Sequence, residues 1–146
     1  MLKQITVFLE NKSGRMEEVT GYLAKENINI HALCVADTTD FGILRMIVSD
    51  SGKAFKILKD KDFMVKTTDV IAAAIDHTPG SLHKVLCELN TPDISVEYMY
   101  AFTSRHKKYD AIVILSVSDQ TAAIEKLNSG GLSLLDENLL DQMNLL

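Results

Sequence analysis

The sequence has few cysteines, no excess of basic charge and no long apolar run, and each of these absences excludes a class of function. Its two cysteines, Cys34 and Cys87, lie alone within apolar patterns, which favours small buried thiols over a disulfide or a metal site. The 146 residues carry a formal net charge of −5, which argues against non-specific nucleic-acid binding. No apolar run approaches the roughly 20 residues that a membrane-spanning helix needs.

Common catalytic and nucleotide-binding signatures are also missing from the sequence. There is no G-x-S-x-G, H-E-x-x-H, Walker or dinucleotide-binding pattern, and no serine, histidine and aspartate at the spacing of a triad. His77, His83 and His106 show no zinc-like spacing with each other or with cysteine. A small enzyme is therefore the least favoured interpretation, and no cofactor is expected. The N-terminus lacks the apolar core of a signal peptide, so we expect a cytoplasmic protein.

The chain contains an internal repeat at an offset of 66 residues, with glycine and apolar positions recurring on equivalent element boundaries. The matched pairs are Gly14 with Gly80, Met16 with Leu82, Ile28 with Ile94, and Ile30 with Val96. Self-similarity of this kind indicates duplication of one small unit. We predict two domains, residues 1–69 and residues 70–146, the second carrying a C-terminal extension from residue 136 that is expected to be helical.

Hydrophobic periodicity predicts the order β-α-β-β-α-β in each half of the chain. The predicted strands are 4–9, 28–36, 42–48 and 63–68 in the first half, and 70–75, 94–102, 111–117 and 132–135 in the second. Such a unit is a ferredoxin-like fold of the α+β class, an antiparallel sheet with two helices on one face. Right-handed crossovers place its first and third strands at the centre of the sheet.

Two turns, residues 11–16 and residues 76–82, each join a strand to a helix. A helix N-terminus presents unpaired N–H groups and partial positive charge, so such a turn can hold a carboxylate or a phosphate. A glycine at the bend lets a ligand approach the backbone. The glycines could instead be simple turn residues, Asn11 could order its own turn through an Asx bond, and Arg15 could be solvated or pair with a carboxylate.

Both turns resemble the Asn-x-Pro-Gly-x-Leu motif of tandem ACT-domain proteins. The ACT domain is a small-molecule-binding regulatory module attached to many enzymes of amino-acid metabolism. Ser13 replaces the proline in the first turn, and His77 replaces the asparagine in the second. Residues 27–30 are similar to the helix exit and second strand of the family, and the resemblance covers residues 1–135.

The resemblance implies a non-catalytic regulatory protein that binds a free amino acid where ACT-like units meet across a shared eight-stranded sheet. The ligand would contact the turn of one unit and the second strand of another, with its carboxylate on helix-start N–H groups and its ammonium on strand carbonyls. The implied ligand-binding residues are Asn11, Ser13, Gly14, Arg15, Met16, Asn29, Ile30, His31, His77, Pro79, Gly80, Ser81, Leu82, Ser95, Val96 and Glu97.

Allosteric signalling would then run through a homodimer or through a regulated metabolic enzyme, because ligand binding must favour one state over another. The alternative is a ligand-free dimerisation or interaction module of the same fold, which the Ser13 departure keeps open. His31 and Glu97 could line the ligand pocket, or they could be ordinary polar residues at a sheet edge.

Two further patterns in the second half have structural interpretations. Alternation over residues 94–102 places five side chains on one side of a strand: Ile94, Val96, Tyr98, Tyr100 and Phe102. The aromatic stripe of Tyr98, Tyr100 and Phe102 is expected in a core or a dimer interface. The basic run at residues 105–108 is expected at a solvated hairpin tip rather than in a nucleic-acid patch.

Overall fold

The structure is a computed structural model that describes residues 1–38, 40–104 and 109–142, and it divides into two compact units. The N-terminal unit is Lys3–Thr68, and the C-terminal unit is Met1–Leu2 with Asp69–Leu146. Each unit follows the order β-α-β-β-α-β, which confirms the predicted α+β, ferredoxin-like fold class.

The N-terminal unit is an antiparallel sheet with two helices on one face. Its elements are β1 (Leu2–Glu10), α1 (Arg15–Lys25), β2 (Ile30–Asp37), β3 (Phe41–Val48), α2 (Ser51–Asp60) and the first residues of β4 (Met64–Ile75). The third strand, β3, lies between β2 and β1. Leu23 of α1 and Leu58 of α2 are fully buried in one cluster with alternate residues of β1 and β3, so both helices cover the same face of the sheet.

The C-terminal unit repeats this arrangement and adds a short helix. Its elements after β4 are α3 (Ser81–Glu88), β5 (Val96–Thr103), β6 (Ala111–Val117), α4 (Gln120–Ser129), β7 (Ser133–Leu135) and α5 (Glu137–Gln142). Antiparallel pairing gives the strand order β5-β6-β4-β7, which places the first and third strands of the unit at its centre, as predicted. Val85 of α3 and Leu127 of α4 share one buried cluster with β4 and β6.

The strand β4 corrects one sequence-based prediction. The sequence predicts two strands, at 63–68 and 70–75, whereas the structure has one continuous strand, Met64–Ile75. The residues at the predicted break are Thr67, Thr68 and Asp69, which include neither glycine nor proline. Threonine favours extended backbone, so nothing in this segment ends the strand.

A β-bulge at the start of β5 corrects a second prediction. Val96 pairs with Val117, but Tyr98 pairs with Ser116, so β5 carries one extra residue between them. Val96 therefore packs on the helix-covered core, whereas Tyr98 lies on the opposite face of the sheet. The prediction that Ile94 and Val96 share a face with Tyr98 is wrong, because the extra residue reverses the alternation.

The remaining predictions concern segments near the limits of the described chain. Residues 105–108, predicted as a hairpin tip, lie outside the described residues. The predicted C-terminal extension is helical over Glu137–Gln142, and residues 143–146 lie outside the described part. Among the helices that the structure describes, none is long and apolar enough to cross a membrane.

Candidate functional site

Each predicted turn has the same backbone structure in its own unit. Gly14 and Gly80 have φ angles of +84° and +90°, and they are the N-cap residues directly before α1 and α3. This left-handed conformation costs an ordinary L-residue about 1 to 2 kcal/mol, because its Cβ crowds the backbone. The repeated glycines are therefore demanded by the geometry of the turns.

The two helices that follow these glycines lack side-chain caps, whereas the second helix of each unit, α2 or α4, is capped. Among the residues that the structure describes, no side chain accepts a capping hydrogen bond at the start of α1 or α3. By contrast, Asp50 accepts from the N–H of Lys53 at 2.8 Å, and Asp119 accepts from the N–H of Ala122 at 2.9 Å. The first N–H groups of a helix have no partner within the helix, so α1 and α3 keep donors that an external carboxylate could use.

At α3, one of these donors is already used within the turn. The N–H of Ser81 donates to the carbonyl of Thr78 at 3.2 Å, and the hydroxyls of the same two residues lie 2.9 Å apart. The N–H of Lys84 makes the first intrahelical bond, to Gly80 at 3.0 Å. The N–H groups of Leu82 and His83 are thus the ones that the helix leaves for a ligand.

A cavity of about 600 Å³ opens beside the start of α3, within the C-terminal unit. Its lining comes from the turn, the first helical residues, the end of β5 and the start of β6. The lining residues are Ile75, Asp76, His77, Thr78, Pro79, Ser81, Leu82, Ala101, Phe102, Thr103, Ala111 and Val113. The predicted residues of the second turn other than Gly80 therefore surround one cavity.

The N-terminal unit has a smaller cavity, of about 320 Å³, at the equivalent place. It is lined by Leu9, Glu10, Asn11, Lys12, Gly14, Arg15, Met16, Val35 and Gly42. Of the residues predicted in the first turn, all but Ser13 line this cavity. Val35 and Ala101 occupy corresponding positions in the two cavities, at the 66-residue offset of the repeat.

The charged groups of the N-terminal cavity are already paired with one another or with neighbours. Lys12 Nζ lies 2.6 Å from the Glu10 carboxylate, and this hydrogen bond and charge hold the pKa of Glu10 below its usual value. The Arg15 guanidinium lies 2.6 Å from Glu18 and 4.4 Å above the ring of Phe63. Arg15 is thus neither simply solvated nor free, although its Nε is buried without a hydrogen-bond partner among the described residues.

The predicted second-strand residues lie at the other end of their strands from these cavities. Ile30 pairs with Val48, whereas the cavity-lining Val35 pairs with Leu44, five residues along β2. At about 3.3 Å per residue, roughly 17 Å separates the two positions. Within one unit, the structure does not bring the turn and the start of the second strand to the same small molecule.

The backbone at the start of each second strand is also engaged, in the same way in both units. The N–H of Asn29 donates to Ser49 Oγ at 3.0 Å, and the Ser49 N–H donates back to the Asn29 carbonyl at 2.9 Å. Ser95 and Ser118 repeat this exchange, both bonds being 2.9 Å. Exchanged bonds of this kind fix the entry of the chain into β2 and β5.

The other predicted residues of the second strands have different surroundings. Glu97 is exposed and accepts a hydrogen bond from the Ser116 hydroxyl at 2.8 Å, while His31 is half-buried. Val96 lines a separate cavity of about 360 Å³ together with His83 and residues of α3.

The cysteines have no role in the two turn cavities. Cys34 is half-buried, but Cys87 is exposed with its Sγ 3.4 Å from His83 Nε2, so the expected burial of both thiols is wrong for Cys87. The core-facing side of α3 is formed by Leu82 and Val85, with Leu89 directly after the helix, which leaves Cys87 on the outer side. In the described ranges, no group of three or more potential ligand side chains could hold a metal ion.

The sequence-based prediction missed the strand-end residues that complete the cavities. Val35, Ala101 and Val113 are far along the chain from the turns, and only the strand register brings them together. The second turn can be located from the first by the 66-residue offset of the repeat. Locating the strand residues that complete its cavity requires the strand register, in which Ile75 pairs with Ala111.

Comparisons with known proteins place the chain in a family. Residues 1–144 match the family described as an ACT domain pair. The crystal structure of protein BT0572 from Bacteroides thetaiotaomicron is 47% identical in sequence with a TM-score of 0.87, and the match covers 95% of this chain and 94% of that one. No functionally curated protein matches the chain.

More distant structures share the fold. The ligand-free regulatory subunit of aspartate kinase from Thermus thermophilus is 13% identical with a TM-score of 0.63, covering 88% of this chain and 91% of that one. The corresponding subunit from Thermus flavus is 14% identical with a TM-score of 0.60, covering 88% and 92%. The match over residues 1–144 means that the chain belongs to the ACT domain pair family.

Proposed function

We propose that this chain is a non-catalytic, cytoplasmic regulatory protein that binds a free amino acid at its glycine turns. The observation that carries the proposal is the uncapped start of α1 and of α3, each opening on a cavity, while α2 and α4 are capped by aspartate. Membership of the ACT domain pair family supports a regulatory role.

In this proposal the ligand carboxylate accepts hydrogen bonds from the first N–H groups of the helix, where the helix dipole also favours negative charge. Ile30 and Val96 lie roughly 17 Å along their strands from the cavity-lining residues Val35 and Ala101, so they would contact the ligand only from another unit. Ligand binding would then stabilise one assembly of units over another, through a homodimer or through a regulated metabolic enzyme.

A thermal-shift screen of refolded, ligand-free protein against the twenty L-amino acids tests the proposal. A ligand at about 100 times its dissociation constant adds about 2.7 kcal/mol to the free energy of unfolding. For a chain of this size, the melting temperature is expected to rise by several degrees. We expect one amino acid, or one chemically related group, to produce this rise.

The matched control is the D-enantiomer of each amino acid that raises the melting temperature. A chiral site distinguishes enantiomers, whereas a general solute effect on stability does not. A flat response to all twenty amino acids would contradict the proposal.

An interaction module is a second candidate function, and exposed apolar side chains on the edge strands favour it. Leu33 and Val35 of β2 are each 46% exposed, and Met99 of β5 is 39% exposed. Apolar side chains on an unpaired strand edge suit contact with another chain. A flat screen together with a stable dimer in light scattering would favour this candidate.

A further inference from the structure

The two turn cavities differ in ways that bear on the ligand, and we infer that the C-terminal cavity is the amino-acid site and that it selects an apolar side chain. This inference rests on the proposed function, and it adds the location of the site and the chemical class of the ligand.

The interior of the C-terminal cavity is apolar. Ile75 and Leu82 pack on the buried cluster of the unit, and Val113 belongs to it. Ala101 pairs with Val113 across β5 and β6, so both side chains lie on the same, helix-covered face. A ligand side chain that enters past the start of α3 would contact the carbon atoms of these apolar side chains. Burying an apolar ligand group there is favourable by about 25 cal/mol per Å², whereas a charged or hydroxyl group would lose its hydration.

The entrance of the same cavity offers complementary polar groups for the backbone of an amino acid. The helix leaves the N–H groups of Leu82 and His83 for a carboxylate; Leu82 lines this cavity, whereas His83 lines the separate cavity that Val96 lines. The first turn of α3 contains no acidic residue that would repel a carboxylate from these N–H groups. Asp76 lines the cavity beside them and supplies a carboxylate for the ligand ammonium. Asp110 accepts a hydrogen bond from the His77 N–H at 3.5 Å and holds the turn to the start of β6.

The N-terminal cavity lacks this complementarity, although its backbone is equivalent. Its acidic residue, Glu10, corresponds to Asp76 but is already paired with Lys12. The first turn of α1 contains Glu17, which opposes the approach of a carboxylate, and Glu18, which already pairs with the Arg15 guanidinium.

The N-terminal cavity also has a smaller volume than the C-terminal cavity. Arg15 stands where the C-terminal unit has Ser81, and Val35 stands where it has Ala101. Its volume is about 320 Å³, against about 600 Å³ in the C-terminal unit. Larger and charged side chains therefore occupy the space that an apolar ligand group would need.

Isothermal titration of the refolded, ligand-free full chain tests the inference. The apolar probes are L-leucine, L-isoleucine, L-methionine and L-phenylalanine, and the polar probes are L-aspartate, L-lysine and L-serine. We expect binding within the apolar set only. Asp76→Asn is expected to weaken that binding by about tenfold to a hundredfold, the value of one charge-assisted hydrogen bond.

The matched control is Asp93→Asn, which removes the same charge from an exposed loop residue of the same unit that lines none of the described cavities. It is expected to leave affinity unchanged. The analogue 4-methylpentanoate, which is leucine without its ammonium, should bind Asp76→Asn as well as it binds the natural protein.

The outcomes separate this inference from the proposed function. Binding of polar amino acids only would overturn the inference and leave the proposed function intact. Affinity lost with Glu10→Gln but retained with Asp76→Asn would overturn the assignment to the C-terminal cavity. Failure of all twenty amino acids to bind would overturn the proposed function and this inference with it.

Discussion

Replacing Leu115 with alanine is expected to lower the free energy of unfolding of the C-terminal unit by about 2 to 5 kcal/mol. Leu115 is fully buried at the centre of β6, paired with Ile71 of β4 and Met99 of β5. Truncating the side chain reduces the apolar surface that folding buries. It also leaves a cavity that the strands on both sides cannot close. Since whole domains are stable by only about 5 to 15 kcal/mol, this is a large fraction of the total.

Urea denaturation followed by circular dichroism measures this loss, with Met64→Ala as the matched control. Met64 has a side chain of similar size but is 68% exposed, so its truncation is expected to change stability by less than about 1 kcal/mol. Equal losses in the two variants would contradict the placement of Leu115 in the core.

Replacing Gly80 with valine is expected to abolish amino-acid binding and to destabilise the C-terminal unit by about 1 to 3 kcal/mol. With φ at +90°, Gly80 has a conformation that a β-branched residue adopts only under strain. Apart from its neighbours along the chain, no described residue has an atom within 4 Å of the place where its Cβ would stand, so the effect comes from the local backbone and not from a clash with a packed side chain. Relief of the strain would turn the first N–H groups of α3 away from the cavity.

The same experiment has two controls within the chain. Gly21 lies inside α1 with open space around its Cβ position, so Gly21→Ala should stabilise the protein by about 0.5 to 1 kcal/mol. Gly14→Val should destabilise about as much as Gly80→Val while leaving the C-terminal cavity intact. Full ligand affinity in Gly80→Val, measured by titration, would refute the role given to this turn.

The fold was largely predictable because its determinants are local. Helical spacing of Val19 and Leu23 and alternation along β1 are properties of short segments, and both recur in the second half of the chain. One of the two features that escaped prediction depends on pairing between distant segments, and the other is local. The bulge after Val96 is defined by its partners on β6, and the continuity of β4 reflects the absence of any residue that would end it.

The candidate site was predictable to the same extent. The glycine turns carry a local signature, so Gly14 and Gly80 could be identified before the structure was known. The cavity wall at Ala101 and Val113 could not, since only strand register brings these residues to the turn. The difference between the two turns, with Glu10 paired with Lys12 and Asp76 lining the larger cavity, likewise emerged only from the structure.

Backbone amide chemical shifts of uniformly 15N-labelled protein, recorded with and without the amino acid that binds, test the central claim most directly. If the helix start receives the ligand carboxylate, the Leu82 and His83 amide signals move downfield, because a new hydrogen bond to a charged acceptor forms at each N–H. The amides of Ser51 and Gly52, at the aspartate-capped start of α2, should stay in place. Saturating ligand that leaves the Leu82 and His83 signals unmoved would contradict amino-acid binding at this turn.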